Sequence, residues 1–243
     1  MLELITDPIS SLLYPRICGS CHSNLVDSGR DRACLECWSV SQVMDGLGSL
    51  CDKCGLMLGP NRKRNSVNCW QCDAHSYDRA RAFGIYSHAV AAEVISLKTS
   101  PSFSRTTAEL IKRNWPSYGF GAFDVIIPIP LSKRRRFERG HNQAEVIADL
   151  VARITGMYVD RGSLQRKQHS PLHRIGMDRK ARDLSVKNAF EVNRPKLIEG
   201  KNILLVDDVY TTGATVSYCA KELKKAGACK VDVFTLARAV LRY

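Results

Sequence analysis

Four Cys-x-x-Cys pairs in the first third of the sequence have the residue type and spacing of metal ligands. Two thiolates on one tight turn can bind one side of an ion, and two such turns complete the tetrahedral four-sulfur site that structural zinc prefers. The sequence therefore predicts two structural Zn²⁺ sites. Their eight candidate ligands are Cys18, Cys21, Cys34, Cys37, Cys51, Cys54, Cys69 and Cys72.

The spacing of the four pairs favours two consecutive zinc ribbons. The first two pairs are 12 residues apart, the last two are 14 apart, and 13 residues separate the halves. A cross-braced arrangement, in which alternate pairs share an ion, is the other possibility. Redox chemistry fits less well, because it needs one pair at a helix N-terminus. The two remaining cysteines, Cys219 and Cys229, are expected to be small core residues.

A second candidate site lies in residues 203–215, with the sequence ILLVDDVYTTGAT. An apolar strand is followed there by two carboxylates, a short hydroxyl-rich loop, a glycine and a helix. In a parallel sheet this order puts the carboxylates and the loop at the edge where ligands bind. The candidate ligand-binding residues are Asp207, Asp208, Thr211, Thr212, Gly213, Ala214 and Thr215.

The chemistry of this segment suits a phosphorylated sugar. Backbone amides over 211–215 and the threonine hydroxyls would meet an anion at a helix N-terminus. Gly213 would let the backbone approach that anion closely. Asp207 and Asp208 are placed to accept hydrogen bonds from sugar hydroxyls, or to bind a metal that the ligand carries. A phosphate and a diol one sugar apart describe a ribose 5-phosphate.

Alternating strands and helices surround this segment. The pattern predicts a mostly parallel sheet with helices on both faces. The expected strands are 79–86, 124–130, 203–208 and 230–238, and the expected helices are 89–97, 106–114, 142–154 and 215–226.

Charge divides the chain near residue 78. Residues 1–78 hold seven Lys or Arg against nine Asp or Glu, whereas residues 79–243 hold 29 against 15. We therefore predict a double zinc-ribbon module over 1–78, with a docking or structural role, and a basic domain over 79–243 that suits polyanionic partners. Metal-type cysteine pairs indicate a reducing compartment, and the sequence has no apolar run of membrane-spanning length or basic leader. We expect a cytoplasmic protein without membrane insertion.

Residues 203–215 resemble, over their whole length, the 13-residue signature of type I phosphoribosyltransferases, which bind phosphoribosyl pyrophosphate (PRPP). A hydrophobic strand that ends in Asp-Asp also opens receiver domains. Those domains need far more chain after the pair than the 35 residues that follow Asp208. The resemblance implies a PRPP site that carries Mg²⁺ with its ligand.

Together with IPIPLSKRRRFERGHNQAEVIADL at 127–150 and the cysteine pairs, the sequence resembles the ComF family of competence-associated proteins, GntX-type members included. The resemblance implies a type I phosphoribosyltransferase-like parallel sheet with an N-terminal double zinc ribbon. By analogy, 132–140 is the loop that faces pyrophosphate; a solvated basic loop or a nonspecific nucleic-acid contact is the alternative. The family-matched residues in and after this loop are Arg135, Arg139, Gly140, Asn142 and Gln143. The candidate pyrophosphate-binding residues are Lys133, Arg135, Arg139 and Gly140.

Other positions match the family less closely. His141 stands where an aromatic residue is usual, and Lys98 matches a family lysine whose role the sequence does not give. Residues 161–182 form a second basic block, which the resemblance assigns to a hood over the active site. Within and after it, His173 and Ser185 replace the usual Gln and Asn.

The resemblance implies a PRPP-binding protein that acts in natural transformation, in the uptake or handling of single-stranded DNA. The alternative is a genuine phosphoribosyltransferase that transfers ribose 5-phosphate from PRPP to an unknown acceptor and releases pyrophosphate. No side chain identifies an attacking nucleophile, so the sequence leaves open whether the protein is an enzyme. The expected partners are PRPP or a related phosphosugar, single-stranded DNA, and a DNA-uptake helicase or channel protein docked through the ribbons.

Overall fold

The structure is a computed structural model that describes residues 16–26, 31–43, 50–58, 69, 72–167 and 189–240. Six strands occur there: β1 (Arg79–Ile85), β2 (Val125–Pro128), β3 (Leu164–Arg166), β4 (Phe190–Val192), β5 (Asn202–Tyr210) and β6 (Lys230–Arg238). The α-helices are α1 (Leu35–Ser39), α2 (His88–Ser96), α3 (Arg105–Asn114), α4 (Lys133–Arg139), α5 (Gln143–Thr155) and α6 (Ala214–Lys225). Short 3₁₀ turns occupy Trp115–Tyr118 and Pro195–Leu197.

The main sheet has the strand order β1-β6-β5-β2, and all of its pairings are parallel. β3 and β4 form a separate antiparallel pair. Successive side chains of a strand point to opposite faces, so the unbroken apolar run of β5 is buried on both sides. Ile203 and Leu205 lie in a core with residues of α6, whereas Leu204 and Val206 lie in a core with residues of α2, α3 and α5. The predicted parallel sheet with helices on both faces is confirmed.

The bounds of the predicted elements agree with the structure to within a few residues. The difference that matters most for the candidate site is at the end of β5. The strand was expected to end at Asp208, but it continues to Tyr210 because β6 pairs with it as far as Tyr210 opposite Arg238. The loop that follows is therefore only three residues long, Thr211 to Gly213.

The segment expected to be a pyrophosphate-facing loop, 132–140, is instead the short helix α4. The Ser132 hydroxyl accepts a hydrogen bond from the Arg135 N–H at 3.3 Å, which caps the helix start. Gly140 ends the helix in the left-handed conformation with φ +74°. The capping serine at the start and the glycine at the end favour the helix over the loop.

The N-terminal region packs directly against the sheet. The Ile85 N–H donates to the Gln42 carbonyl at 2.9 Å, and Val43 forms an antiparallel bridge with Gly84. This contact covers the outer edge of β1, an edge that would otherwise offer unpaired backbone groups. Among the described residues, no helix is long and apolar enough to cross a membrane.

Candidate functional site

The two aspartates stand near the carboxyl end of β5, as predicted, and both are half-buried. As consecutive strand residues they point to opposite faces, so they flank the strand end rather than form one cluster. Each accepts a backbone hydrogen bond: Asp207 from the Asp208 N–H at 3.0 Å, and Asp208 from the Val209 N–H at 2.7 Å. Burial, followed by the nearby charge of Asp208, raises the pKa of Asp207 well above its usual value, and Arg166 opposes the shift. A hydroxyl donor or a cation would stabilise the ionised pair.

The loop Thr211–Gly213 joins β5 to α6 and presents free backbone donors. Within the described part of the chain, the N–H groups of its three residues donate no hydrogen bond. The Thr212 hydroxyl accepts from the Ala214 N–H at 3.3 Å, and the Gly213 carbonyl accepts from the Ser217 N–H at 2.9 Å. Free N–H groups at the start of a 12-residue helix are an arrangement that binds anions.

Gly213 is required for a reason that the sequence did not reveal. Its φ of +79° is left-handed, and an added Cβ would lie 2.6 Å from Cε1 of His75 and would also collide with the Tyr210 hydroxyl. The glycine therefore lets the loop rest against the protein beneath it. This adds to the close approach to a ligand that the sequence predicts.

A polar aromatic cluster forms the floor under this loop, and sequence reasoning missed it. The Tyr210 and Tyr77 hydroxyls are 2.6 Å apart, and Nδ1 of His75 lies 2.8 Å from the Tyr77 hydroxyl and 3.3 Å from that of Tyr210. Burial raises the pKa of Tyr210 to about 12, although the Tyr77 hydroxyl and Arg238 oppose the shift. Both tyrosines thus stay neutral at physiological pH. The available signal was the tyrosine inside the strand-loop-helix segment.

The basic residues of α4 are held in part by neighbouring groups. Nη1 of Arg136 lies 2.7 Å from Glu145, and Nη1 of Arg139 donates to Gln143 at 2.9 Å. Arg134 pairs with Glu138 at 2.7 Å. Because α4 follows β2, the neighbour of β5, it starts at the same sheet edge as the candidate loop.

Two family-matched residues, Asn142 and Gln143, and the unmatched His141 brace the segment between β2 and α5. The Leu97 carbonyl lies 2.7 Å from Nε2 of His141 and accepts from Gln143 at 3.2 Å. The side-chain amide of Asn142 donates to the Ile129 carbonyl at 3.0 Å while its oxygen caps α5. These contacts account for the matched positions structurally. Lys98 follows the shared carbonyl and is exposed.

The eight paired cysteines form two separate clusters, and each cluster uses consecutive pairs. Within each cluster the four sulfur atoms lie within 4.8 Å of one another. A tetrahedral ion with Zn–S bonds of about 2.3 Å would place its sulfurs about 3.8 Å apart. The observed separations are 3.7 Å for Cys18–Cys37, 4.0 Å for Cys21–Cys34, 3.7 Å for Cys51–Cys72 and 3.5 Å for Cys54–Cys69. Both clusters could hold a metal ion, and the consecutive pairing is confirmed over the cross-braced one.

Backbone amides favour thiolates in both clusters. Burial raises the pKa of Cys18, but amide donors, including the Ser20 and Cys34 N–H groups, outweigh it and bring the pKa to about 6. The same balance brings the pKa of Cys51 to about 7. In contrast, burial and neighbouring sulfurs raise the pKa of Cys72. Four closely spaced sulfurs can therefore all ionise only with a cation among them.

The remaining expectations have mixed outcomes. Cys219 is a buried core residue as expected, but the expectation for Cys229 is wrong: it is exposed, in the turn between α6 and β6. Of the second basic block, only 161–167 is described, and Arg161 pairs there with Asp149. Its continuation, including His173, and the later Ser185 lie outside the described residues.

Comparison with known proteins agrees with this geometry. Residues 133–240 match the phosphoribosyl transferase domain family. The DNA utilization protein YhgH of Salmonella typhi is 29% identical over 240 residues, which are 93% of this chain and 99% of that protein. Competence protein ComFC of Bacillus subtilis is 36% identical over 119 residues, 47% of this chain and 44% of that one. Competence protein F of Haemophilus influenzae is 28% identical over 223 residues, 85% and 96% of the two chains.

Among solved structures, glutamine PRPP amidotransferase from B. subtilis matches at 19% identity with a TM-score of 0.37, over 55% of this chain and 26% of that one. The near full-length relatives, the domain match and the two cysteine clusters agree with one another. The chain is thus similar to proteins of the ComF family over nearly its whole length, and it combines a type I phosphoribosyltransferase-like α/β sheet with two four-cysteine clusters in its N-terminal region that are consistent with a double zinc ribbon.

Proposed function

We propose that the loop Thr211–Gly213, with Ala214 and Thr215 at the start of α6, binds the 5-phosphate of PRPP or of a related phosphosugar. The observation that carries this proposal is the set of three N–H groups at a helix N-terminus that have no acceptor among the described residues, separated from the paired aspartates by two residues. Asp207 and Asp208 would accept hydrogen bonds from the ribose hydroxyls or hold the Mg²⁺ carried with PRPP. The half-buried Arg135 and Arg139, together with Lys133 and Gly140, form the part of α4 proposed to meet the pyrophosphate.

Both cysteine clusters are proposed to hold structural Zn²⁺, because their sulfur separations fit a tetrahedral ion and their thiolates need a cation. We assign the ribbons to 1–78 and the PRPP-binding domain to 79–243. The relatives' names, which refer to competence and DNA utilization, support a role in DNA uptake during natural transformation. In that role the protein would work in the cytoplasm, with the ribbons available to dock a helicase or channel protein.

A second candidate function, the binding of single-stranded DNA, is favoured by the outer face of α4. Phe137 is 92% exposed on a helix that carries five basic residues and one acidic residue. Residues four apart share a helix face, so Lys133 and Phe137 lie together, whereas Arg135 and Arg139 share the opposite, half-buried face. An exposed aromatic ring among cations is the arrangement with which proteins stack unpaired bases. One helix thus offers one face to a phosphosugar and the other to a nucleic acid.

Calorimetric titration with PRPP and Mg²⁺ tests the phosphosugar site. The wild-type protein should bind, and the double variant Asp207→Asn, Asp208→Asn should bind at least tenfold more weakly, because neutral amides hold Mg²⁺ and accept from hydroxyls less strongly than carboxylates do. Asp149→Asn on α5, a half-exposed carboxylate outside the loop, is the control and should bind as the wild type does. Equal affinity in both variants would remove the site assignment. Pyrophosphate release that requires the addition of a pool of nucleobases as acceptors would instead indicate the transferase reaction.

A further inference from the structure

The two cysteine clusters are built into the protein differently. Cys18, Cys34 and Cys37 pack in a small cluster of their own with Val26, Ala33 and Ala89. Cys51, Cys54, Cys69 and Cys72 belong to the main core on the α6 face of the sheet, together with Tyr77 and Tyr210. Only the second cluster is therefore continuous with the floor of the candidate phosphate loop.

Arg238 connects the second cluster to Tyr210. This arginine is buried at the end of β6, and its Nη1 donates to the Cys54 carbonyl at 2.6 Å while Nη2 lies 3.7 Å from the Cys54 sulfur. The sheet register places Tyr210 opposite Arg238, and the guanidinium lies 4.4 Å from the centre of the tyrosine ring. A cation over an aromatic face is attractive, and more so when the cation is desolvated.

Tyr210 in turn supports the loop. Its hydroxyl contacts Tyr77 and His75, and Gly213 rests against both the Tyr210 hydroxyl and the His75 ring. His75 and Tyr77 come directly after the last cysteine, Cys72. The chain between them is also tied to α6, because the Ser76 N–H donates to the Ser217 hydroxyl at 3.0 Å. The cluster thus reaches the loop by two routes, through Arg238 and through the chain after Cys72.

We propose that the metal-loaded second cluster sets the conformation of the phosphate loop through Arg238 and Tyr210, so that metal retention at this cluster and phosphosugar affinity are coupled. The inference rests on the proposed function of the loop. Coupling is reciprocal: whatever the metal adds to the affinity for the phosphosugar, the phosphosugar adds to the affinity for the metal. The first cluster has neither route to the loop and serves as an internal comparison.

The test compares single variants of full-length, zinc-loaded protein by titration with PRPP and Mg²⁺, with zinc content measured on each sample. Arg238→Met and Tyr210→Phe keep all eight cysteines, and we expect them to retain two zinc ions per chain but to bind PRPP about fivefold or more weakly, the lower end of usual coupling. Cys21→Ser, which alters the first cluster, should leave the PRPP affinity unchanged. Arg238→Lys, which keeps the cation, should bind better than Arg238→Met.

A second measurement follows zinc release to a chromogenic chelator with and without saturating PRPP. PRPP should slow the release of one zinc ion of the two, and this protection should be smaller in Arg238→Met, which leaves only the route through the chain after Cys72. The coupling would be overturned if PRPP did not change the rate of zinc release from the wild-type protein, or if Arg238→Met and Tyr210→Phe bound PRPP as the wild type does. Either result would leave the phosphate site in place. Failure of the wild-type protein to bind PRPP at all would instead refute the proposed function.

Discussion

Single residues around the loop divide between those that face a ligand and those that fix the backbone from below. Thr211 and Thr212 are on the open side, where their N–H groups have no acceptor among the described residues. Tyr210 and His75 are on the protein side and leave no room for a side chain at Gly213. The sequence signature therefore combines ligand-binding positions with a packing requirement. Only the structure separates the two.

Gly213 gives a sharp test of this packing requirement. Gly213→Ala places a Cβ in a left-handed residue and against His75, whereas Gly140→Ala meets the same backbone cost with nothing within 4 Å of the new atom. We expect Gly140→Ala to lower the free energy of unfolding by about 1–2 kcal/mol, the usual cost of the left-handed conformation. Gly213→Ala should lower it by clearly more. Urea unfolding measures the free energy of unfolding of both variants. Equal decreases would show that His75 and Tyr210 can move to accommodate the added methyl group, against the prediction.

At the scale of elements, helices and strands with a clear apolar period could be predicted from the sequence, and α4 could not. α5 has buried residues at Ala144, Ile147, Ala148 and Val151, and this period was visible. α4 buries none of its residues, so it has no apolar period, and only its caps at Ser132 and Gly140 indicate a helix. The floor of the loop was hidden for a different reason. The hydroxyls of Tyr77 and Tyr210 are in contact although the two residues are 133 positions apart in the sequence, and no local pattern encodes such a contact.

The start of α3 depends on Glu93 of α2, a fully buried acid. Its two oxygens accept from the Ser104 N–H at 3.0 Å and from the Thr107 hydroxyl at 2.9 Å. Burial raises the pKa of Glu93 above its usual 4.5, although the hydrogen bonds oppose the shift. The folded state therefore holds the proton more tightly than the unfolded state. The stability that this adds is complete below the unfolded pKa and is lost as the pH rises through the folded pKa.

Glu93→Gln should remove this pH dependence because the amide does not titrate. We expect the variant to gain free energy of unfolding relative to the wild type as the pH rises from 4.5 to 7. The measurement is urea unfolding of both proteins across that range. Glu109→Gln makes the same substitution at an exposed glutamate of α3 that pairs with Arg105, and it is the matched surface control. A constant offset for Glu93→Gln across this range would contradict the prediction, because it would mean that folding does not change how tightly the buried acid holds its proton.

At the scale of the whole molecule, the cysteine clusters lie in the N-terminal region and the excess positive charge lies after it, and the second cluster shares the main core on the α6 face of the sheet. The acidic cysteine-rich region covers the edge of β1 and reaches under the loop through Arg238, while the excess of basic residues lies after residue 78. A polyanion is therefore attracted to the same part of the molecule that carries the phosphate loop. On the exposed face of α4, an attracted nucleic acid could also make contact through its bases, because the exposed ring of Phe137 lies there.

Fluorescence anisotropy with a labelled single strand, at several salt concentrations, tests whether α4 contacts bases. Backbone contacts should make the affinity fall steeply with salt in the wild type and in Phe137→Ala alike. Phe137→Ala should also bind about tenfold more weakly at each salt concentration, because stacking contributes roughly 1–3 kcal/mol per base. Tyr158→Ala, at a 72% exposed aromatic residue outside α4, is the matched control and should bind as the wild type does. Equal binding by both variants would assign the attraction to charge alone and leave Phe137 without a role in the contact.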